Sequence, residues 1–394
     1  MPMVIAMIGQ KGLPARSGGI ERHVETLASG LANRGHRVIV FGRAWYVGDG
    51  VGVPSGVEQV ITSGIRTKHL DAITHSFTAL WAARKFHPDV VHIHGAGIAL
   101  LSPLARLMHP RASLVVTFHC IDRVLSKWGS FARLSFRIGE WLACHVPHRT
   151  IAASQTLAVY CQETYGVQTS YVTHPIPMPT QPTIDEVDQK LKPHGLIRDK
   201  YFLFLGRLIP DKMAHLLIQA YAMARLERPE LFADKPLVLV GGAAWTDKYA
   251  SWMCALAAKT PGVIVLGERS GEELKSLQAG ALSHVFPTVS EGLSLAVVEA
   301  CQFARLVVAT DIQPNVEATG GHMISVRPLD VHSLVNGLIQ AAELSLEDRA
   351  RIAVAAQKHV INSHHTDDRL DDIERIYRES CGKSAEMVSQ VSVA

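Results

Sequence analysis

Short apolar runs alternate with amphipathic stretches along the first half of the chain, a pattern typical of parallel strands joined by crossover helices. The first run covers residues 3–8, and apolar positions at helical spacing over residues 20–34 predict a helix that ends at Gly35. Further runs predict buried strands at residues 38–41, 89–94, 113–119 and 150–153. Two of these strands end in a histidine, at His94 and at His119.

A proline-rich stretch follows this first series. Residues 173–200 contain five prolines and several charges, a composition that suits a linker better than a sheet. Apolar runs beyond it predict a second set of strands at residues 201–205, 237–240, 263–266, 284–287 and 306–310. The chain is therefore predicted to be an α/β protein with two Rossmann-like, doubly wound domains that face a central cleft.

The predicted domain boundaries follow from the position of this linker. Residues 1–180 form the first domain and residues 181–365 the second. A C-terminal helix at residues 366–380 is expected to complete the first domain, and residues 381–394 are expected to form a flexible tail. Ligands bind beyond the carboxyl ends of strands in open parallel sheets, so residues just after strands are candidates for a site.

Composition narrows the class of protein. A chain of 394 residues suits two domains of ordinary size, and 47% hydrophobic against 19% charged residues describes a well-packed protein. The formal net charge of +3 gives no support to a nucleic-acid partner. Six cysteines form no CxxC pair, no histidine cluster has zinc-like spacing, and no stretch approaches the ~20 apolar residues of a spanning helix. We expect reduced thiols and a cytoplasmic location.

Two carboxylates stand eight residues apart, at Glu291 and Glu299, directly after an apolar run. The first is predicted to lie in a loop and the second in a helix whose amino end carries unpaired N–H groups that suit an anion. A sugar nucleotide offers such an anion in its diphosphate. Because two carboxylates would repel that diphosphate, we expect them to accept hydrogen bonds from the sugar hydroxyls instead. The alternative is a pair of solvated glutamates that flank an ordinary core helix.

Two cations, Arg207 and Lys212, follow the first predicted strand of the second domain. Fixed cations at this place can neutralise the charge that builds on a leaving diphosphate. Taken singly, Arg207 could be a salt-bridged surface residue and Lys212 a solvated turn residue. Their position at a strand end, shared with the Glu291 loop, favours a joint role in binding.

These motifs together resemble glycosyltransferase family 4. The family's signature is a GR-x-x-x-x-K stretch followed by E-x7-E, and this chain has GRLIPDK at residues 206–212 and EGLSLAVVE at residues 291–299. The opening IGQKGLPARSGGIE at residues 8–21, DVVHIHG at 89–95 and TFHCID at 117–122 extend the resemblance over nearly the whole chain. The opening resembles bacterial members that build capsular polysaccharides and exopolysaccharides.

The resemblance implies a GT-B fold and retaining transfer of a sugar from a nucleotide diphosphate to a polysaccharide or lipid-linked acceptor. It implies that Arg207 and Lys212 bind the donor diphosphate. It also implies that Glu291 contacts the donor sugar and that Glu299 contacts the ribose hydroxyls. Other positions of the second motif then also contact the donor: Gly292, Leu293, Ser294 and Leu295.

Three residues of the first domain are implied as well. Gly18 and Gly19 would let the backbone approach the donor phosphate and the acceptor, where a side chain would obstruct that approach. His119 would lie beside the reacting sugar. Without the family argument, His119 could equally be a core histidine satisfied by the backbone.

The chain departs from the family pattern at three places. Leu293 and Ser294 replace the Phe-Gly pair of the usual EGFG, and Ser294 is expected to cap the following helix. Met213 replaces the glycine after the GR-motif lysine. His174 and Pro175 replace the Asn-Gly pair that is common before the linker.

The expected chemistry requires no metal and no cofactor beyond the nucleotide sugar. No carboxylate is an obvious covalent nucleophile, so we expect attack on the same face of an oxocarbenium-like centre, with a leaving phosphate oxygen taking the acceptor proton. No DxD pair stands where a metal would hold the diphosphate. The acidic pairs at residues 367–368 and 371–372 are expected to be solvated.

A basic and aromatic segment between Arg123 and Trp141 has two interpretations. Its residues allow an amphipathic surface helix that touches anionic lipid and admits a lipid-linked acceptor, as a peripheral attachment to the membrane. Alternatively, the aromatic side chains pack on the first sheet while the cations face water. The candidate contacts with acceptor or membrane are Arg123, Lys127, Trp128, Arg133 and Arg137.

Three other functions compete with transfer. A Rossmann oxidoreductase is disfavoured because Gly9 and Gly12 do not have the intervals of G-x-G-x-x-G. A non-catalytic sugar-nucleotide-binding partner of an assembly complex and a sugar-nucleotide epimerase both share the expected fold. Nucleotide release that depends on an added acceptor separates these two from a transferase.

Overall fold

The computed structural model describes residues 1–16, 18–47, 52–67, 70–125, 128–243 and 247–391. The chain divides into two compact units, and each is described by itself. Residues 1–177 and 364–394 form the first unit, and residues 178–363 form the second.

The first unit is a parallel α/β structure. Its strands are β1 Val4–Ile8, β2 Arg37–Arg43, β3 Val57–Thr62, β4 Val90–His94, β5 Ser113–Phe118, β6 Arg149–Ala152 and β7 Ser170–Tyr171. Its helices are α1 Gly19–Asn33, α2 Ala44–Val47, α3 Asp71–Ala83, α4 Ser102–Met108, α5 Ser130–His145 and α6 Gln155–Tyr165.

The second unit repeats this design. Its strands are β8 Phe202–Leu205, β9 Leu237–Val240, β10 Val263–Gly267, β11 Ser283–Phe286, β12 Leu306–Thr310 and β13 Ile324–Val326. Its helices are α7 Ile184–Leu191, α8 Ala214–Glu227, α9 Pro229–Phe232, α10 Asp247–Ala258, α11 Gly271–Gly280, α12 Leu295–Gln302, α13 Gln313–Thr319, α14 Val331–Glu343 and α15 Leu346–Ser363. The chain then returns to the first unit as α16 Thr366–Val391.

Both sheets are parallel and both reverse their strand order once. The first has the order β3-β2-β1-β4-β5-β6-β7, and the second has the order β10-β9-β8-β11-β12-β13. The order reverses between β1 and β4 in the first sheet and between β8 and β11 in the second. A crevice opens at the carboxyl ends of the strands at such a reversal, which is where ligands of doubly wound folds bind.

The α1 and α16 helices close one face of the first sheet. Leu370 and Tyr377 of α16 pack in the same buried cluster as Val24 and Leu27 of α1. A Cβ atom built on Gly30 of α1 would lie only 2.4 Å from Leu370 Cδ1, so the two helices approach closely where Gly30 stands.

The acidic residues at the start of α16 are exposed but not all unpaired. Arg34 binds both Asp367 and Asp371, so part of this predicted solvated cluster anchors α16 to α1. The α16 helix continues to Val391, into the segment for which the sequence favours a flexible tail, and residues 392–394 lie outside the described part of the chain.

The described helices include none that combines the length and the apolar character needed to cross a membrane. None of the six cysteines, all of which lie in the described part of the chain, forms a disulfide bond.

Candidate functional site

The second unit brings its two signature segments together at the reversal between β8 and β11. A 3₁₀ turn at Pro210–Lys212 follows β8. The carbonyl oxygen of Asp211 accepts hydrogen bonds from Thr288 Oγ1 at 3.2 Å and from the Val289 amide at 3.2 Å, both in the loop after β11. These bonds hold the two loops side by side, as neighbouring strand ends predict.

Lys212 and Glu291 form an ion pair between these loops. Both side chains are mostly buried, with exposed fractions of 20% and 17%. A partly buried ion pair is screened less by salt than a surface pair, so it fixes both side chains near one point. A bound anionic donor would compete with Glu291 for the ammonium group of Lys212.

Arg207 lies directly after β8 and its side chain is exposed. Among the described residues, no carboxylate lies within 4.0 Å of its guanidinium. The backbone beside it is tightly packed: a Cβ atom on Gly241, which has φ of +147°, would lie 1.8 Å from the carbonyl oxygen of Gly206. The loop is therefore fixed while the guanidinium keeps its donors available for a ligand.

Ser294 does not cap α12 with its side chain, contrary to the prediction. It occupies the position before the helix, but no side-chain capping bond is formed there. Instead its hydroxyl donates a hydrogen bond of 2.6 Å to Asn315 Oδ1 of α13. The amides of the first turn, which have no acceptor within a helix, are consequently not capped by this hydroxyl.

A buried polar network around Asn315 sets the position of that helix end. Asn315 Nδ2 donates to the Thr310 carbonyl at 2.9 Å and contacts Thr310 Oγ1 at 3.1 Å. Thr310 Oγ1 in turn donates to the carbonyl of Thr288 at 2.5 Å. The loop after β11, the end of β12 and the start of α12 are thus joined by one asparagine that sequence reasoning did not identify.

The remaining residues of the E-x7-E motif lie in the loop after β11 and in the first two turns of α12. Gly292 and Leu293 are buried in the loop, and Leu295 begins α12. Glu299 lies in the second turn of α12 and is half-buried. The structure thus places the carboxylates at the two ends of one loop-helix segment.

Met213 adopts a backbone conformation that favours glycine. Its φ of +53° and ψ of +28° are in the left-handed region, at the residue before α8. A side chain in this region costs about 1–2 kcal/mol because Cβ approaches the following carbonyl. The glycine of the family pattern is therefore explained by backbone geometry, and Met213 keeps that geometry at a cost in strain.

The glycine pair of the first unit stands at the amino end of α1. Gly18 has φ of +104°, and a Cβ atom on it would lie 2.0 Å from Glu21 Oε2. Glu21 is buried; it accepts a hydrogen bond from the Lys11 amide at 3.2 Å and lies 3.7 Å from Lys11 Nζ. Gly19 begins the helix. A side chain at Gly18 would displace this buried carboxylate.

His119 follows β5 and belongs to a cluster of buried imidazoles. Its Nε2 atom lies 3.3 Å from His94 Nδ1, and its Nδ1 atom lies 2.9 Å from His174 Nε2. The rings of His23 and His92 complete the cluster: the His23 centroid lies 4.0 Å from that of His174, and the His92 centroid lies 4.0 Å from that of His94. Sequence reasoning named only His119 as a site residue, although it noted His94 at a strand end and His174 as a departure from the family pattern, because the rings come from distant parts of the chain.

Burial governs the ionisation of this cluster. It lowers the pKa of each imidazole well below its usual value, and repulsion between neighbouring rings, were they charged, lowers the pKa further. All five rings are therefore neutral near pH 7. The alternative of a histidine satisfied by backbone does not describe His119, since its partners are other imidazoles.

Two of the membrane candidates lie on α5, which also exposes an apolar stripe. Arg133 and Arg137 are exposed on it. Phe131 is 85% exposed, and three further large apolar residues of the helix are exposed beside it: Leu134, Ile138 and Trp141. The interpretation in which the aromatic side chains all pack on the sheet is therefore wrong for Phe131 and Trp141.

Other members of the segment face inward. The ring of Trp128 packs against that of Phe136, with centroids 5.1 Å apart and ring planes inclined by 57°. Arg123 donates from Nε to Glu140 Oε2 at 3.0 Å and from its terminal amino group to the hydroxyl of Tyr160 at 2.7 Å, and these bonds raise its pKa. Arg123 is thus committed to an internal ion pair. Lys127 lies outside the described residues.

Comparison with known proteins assigns the two halves to related families. Residues 17–175 match Glycosyltransferase Family 4, and residues 199–343 match Glycosyl transferases group 1. The O-antigen chain mannosyltransferase B of Escherichia coli is 26% identical over 153 residues, which are 39% of each chain. The phosphatidyl-myo-inositol mannosyltransferase of Mycobacterium tuberculosis is 26% identical over 94% of this chain and 95% of that protein.

The fold has known counterparts as well. The crystal structure of Anabaena HepE in complex with UDP and glucose matches with a TM-score of 0.75 at 18% identity, over 96% of this chain and 100% of that chain. The protein has two Rossmann-like units with parallel sheets, and it is similar to known glycosyltransferases. It is therefore a glycosyltransferase of the GT-B fold. The chain belongs to glycosyltransferase family 4.

Proposed function

We propose that this enzyme transfers a sugar, with retention of anomeric configuration, from a nucleoside diphosphate donor to a lipid-linked or polysaccharide acceptor in cell-surface polysaccharide biosynthesis. The observation that carries the proposal is the Lys212–Glu291 ion pair at the reversal point of the second sheet, with the exposed Arg207 in the loop that follows β8. The mannosyltransferase relatives and the UDP complex of the HepE structure support a nucleotide-sugar donor.

The charges of the second unit suit the leaving group of this reaction. Arg207 and Lys212 would stabilise the negative charge that builds on the diphosphate as the glycosidic bond breaks. On donor binding, Glu291 would leave its ion pair with Lys212 and accept a hydrogen bond from a sugar hydroxyl. A leaving phosphate oxygen would take the proton of the acceptor hydroxyl, so that transfer needs no metal ion and no protein nucleophile.

The test combines ligand binding with turnover. UDP, GDP, TDP and ADP are each added to the protein, and we expect one of them to raise the melting temperature, since a ligand at 100 times its Kd adds about 2.7 kcal/mol. The matching nucleotide sugar is then incubated with and without a lipid-linked oligosaccharide acceptor. Nucleoside diphosphate should be released only with acceptor, at rates that EDTA or added Mn²⁺ changes less than about twofold.

Each competing activity gives a different result. Nucleotide binding without turnover would indicate a non-catalytic partner, and an isomerised product without acceptor would indicate an epimerase. Loss of activity in EDTA that Mn²⁺ restores would contradict the metal-independent mechanism. The anomeric configuration of the product, read by NMR, tests retention.

We further propose that α5 attaches the enzyme to an anionic membrane. Its exposed apolar stripe is flanked by Arg133 and Arg137, an arrangement typical of helices that lie at a lipid interface. A cation near an anionic surface contributes about 1 kcal/mol. Attachment of this kind would bring the enzyme to a lipid-linked acceptor.

Reversal of the two charges tests this attachment. We expect the double variant Arg133→Glu and Arg137→Glu to lose flotation with vesicles rich in anionic lipid, because two attractions become repulsions, while its melting temperature stays unchanged. The matched control reverses Lys85 and Arg111, two exposed cations elsewhere in the first unit, and should float like the wild type. Equal flotation of the two double variants, or none of the wild type, would contradict attachment through α5.

A further inference from the structure

Three histidines from separate elements of the first unit converge on one point. His23 lies in the second turn of α1, His119 follows β5, and His174 lies just after β7. The ring centroids of His23 and His174 are 4.0 Å apart, and those of His23 and His119 are 5.1 Å apart. One ring nitrogen from each residue lies within 4.8 Å of one from each of the others.

The nitrogens of this cluster are buried and incompletely paired. The exposed fractions of His23, His119 and His174 are 4%, 5% and 3%. Within the described part of the chain, neither ring nitrogen of His23 has a hydrogen-bond partner. Nδ1 of His174 has none either. A buried polar atom without a partner typically costs about 1–3 kcal/mol, so the arrangement implies a ligand that uses these lone pairs.

The neutral state of these rings suits a metal ion. The three imidazoles are buried, and a neutral imidazole offers the lone pair of its unprotonated nitrogen to a metal ion. Neutral imidazole is the nitrogen ligand that zinc prefers, and sites with three histidines leave a fourth position open.

Hydrogen bonds from further residues orient the rings. His119 Nε2 lies 3.3 Å from His94 Nδ1, and the His94 ring stacks on His92. His92 is held in turn by the hydroxyl of Tyr377 at 2.6 Å and by Thr117 Oγ1 at 2.7 Å. A ligating histidine whose second ring nitrogen is bonded in this way is fixed in tautomer and orientation.

We propose that His23, His119 and His174 bind one Zn²⁺ ion, with the fourth position open to water or an anion. His119 Nδ1 and His174 Nε2 are now 2.9 Å apart and must share a proton. Zinc in place of that proton, bound at about 2.0–2.1 Å to each nitrogen, would separate them to about 3.3 Å in tetrahedral geometry. The His119 and His174 nitrogens would part by a few tenths of an ångström, and the His23 ring, whose ligand nitrogen lies within 4.8 Å of the other two, would approach by up to about 1.5 Å.

The site depends on a residue that departs from the family pattern. The resemblance to glycosyltransferase family 4 implies an asparagine where this chain has His174.

The test measures metal binding directly and uses no activity. The full-length protein is treated with chelator, dialysed and titrated with Zn²⁺, with Co²⁺ as a visible probe of tetrahedral geometry. We expect about one equivalent of Zn²⁺ per chain by elemental analysis, a rise in melting temperature, and the strong visible absorption of tetrahedral Co²⁺. A wild-type protein that retains no stoichiometric zinc, or whose Co²⁺ spectrum is octahedral, would overturn the proposal.

Two ligand variants assign the ion to this cluster. His174→Asn restores the residue common in the family, and His23→Gln keeps a polar side chain in α1. Each should weaken Zn²⁺ binding by at least the roughly 10- to 100-fold that loss of an outer-shell partner costs. The control His284→Gln changes a buried histidine of the second unit, whose Nε2 contacts the Gln278 carbonyl at 3.0 Å, and should bind zinc like the wild type. Unchanged binding in both ligand variants would place the ion elsewhere and refute the site.

Discussion

Replacement of Arg207 by alanine is expected to lower kcat for sugar transfer by about 10²–10³-fold while the protein stays as stable as the wild type. The guanidinium is exposed, and its removal leaves no buried group without a partner. Its contribution is expected in the transition state, where charge moves onto the leaving diphosphate. The loss should therefore appear in kcat at saturating donor and in kcat/KM to a similar extent.

Two further variants sharpen this test. Arg207→Lys keeps the charge but loses the planar, two-pronged donor geometry, so we expect it to recover only part of the lost rate. Arg351→Ala removes an exposed arginine of α15 and serves as the matched control, with turnover near that of the wild type. If Arg207→Ala kept turnover within about tenfold of the wild type, the guanidinium would not be a major stabiliser of the leaving group.

The fold was predictable where strands are buried on both faces. β4, β5, β9 and β12 are runs rich in apolar residues and buried at every position, and their predicted positions differ from the observed ones by at most one residue at either end. Such runs dominate the hydrophobic pattern because parallel strands under helices have no solvent face.

Three of the four edge strands carried too weak a signal, whereas the fourth, β10, was predicted. The outermost strand β3 is half-exposed and interrupted by polar residues, and β7 and β13 are only two and three residues long. A strand with one neighbour needs few apolar residues, so the pattern along the chain does not separate it from a loop.

The candidate site of the second unit was predictable because its residues follow neighbouring strands. The end of β8 and the end of β11 adjoin only through the reversal of strand order, and the motif spacing pointed to both. The side-chain partners were not predictable: Ser294 has the sequence context of a helix cap, yet its hydroxyl bonds Asn315, which has no motif around it.

The histidine cluster shows the same limit in the first unit. His23, His119 and His174 have no zinc-like spacing, since tertiary structure alone brings α1, β5 and β7 together. The departure of His174 from the family pattern was visible in the sequence, but its partners were not. The structural role of a residue substituted in a loop can be inferred only when the elements that pack against it are known.

Removal of the Asn315 side chain is expected to lower the free energy of unfolding by about 3 kcal/mol. Asn315→Ala leaves the Ser294 hydroxyl without its acceptor and the Thr310 carbonyl without a donor, and each unpaired buried group costs about 1–3 kcal/mol. Because both losses occur where α12 begins, donor affinity should fall as well. Denaturant unfolding measures the loss of stability, provided that the dependence of the unfolding free energy on denaturant concentration keeps the wild-type slope. Titration with the cognate nucleotide measures the loss of affinity.

A double-mutant cycle separates the network from simple loss of packing. Ser294→Ala alone leaves Asn315 Oδ1 unpaired, but in the double variant with Asn315→Ala both partners of the 2.6 Å bond are gone. We therefore expect the double variant to be more stable than the sum of the single losses predicts, by about 0.5–3 kcal/mol. Asn336→Ala on the exposed face of α14 should change stability by less than about 0.5 kcal/mol. Strict additivity would mean that Asn315 acts through volume alone, and the polar network would not be what fixes the start of α12.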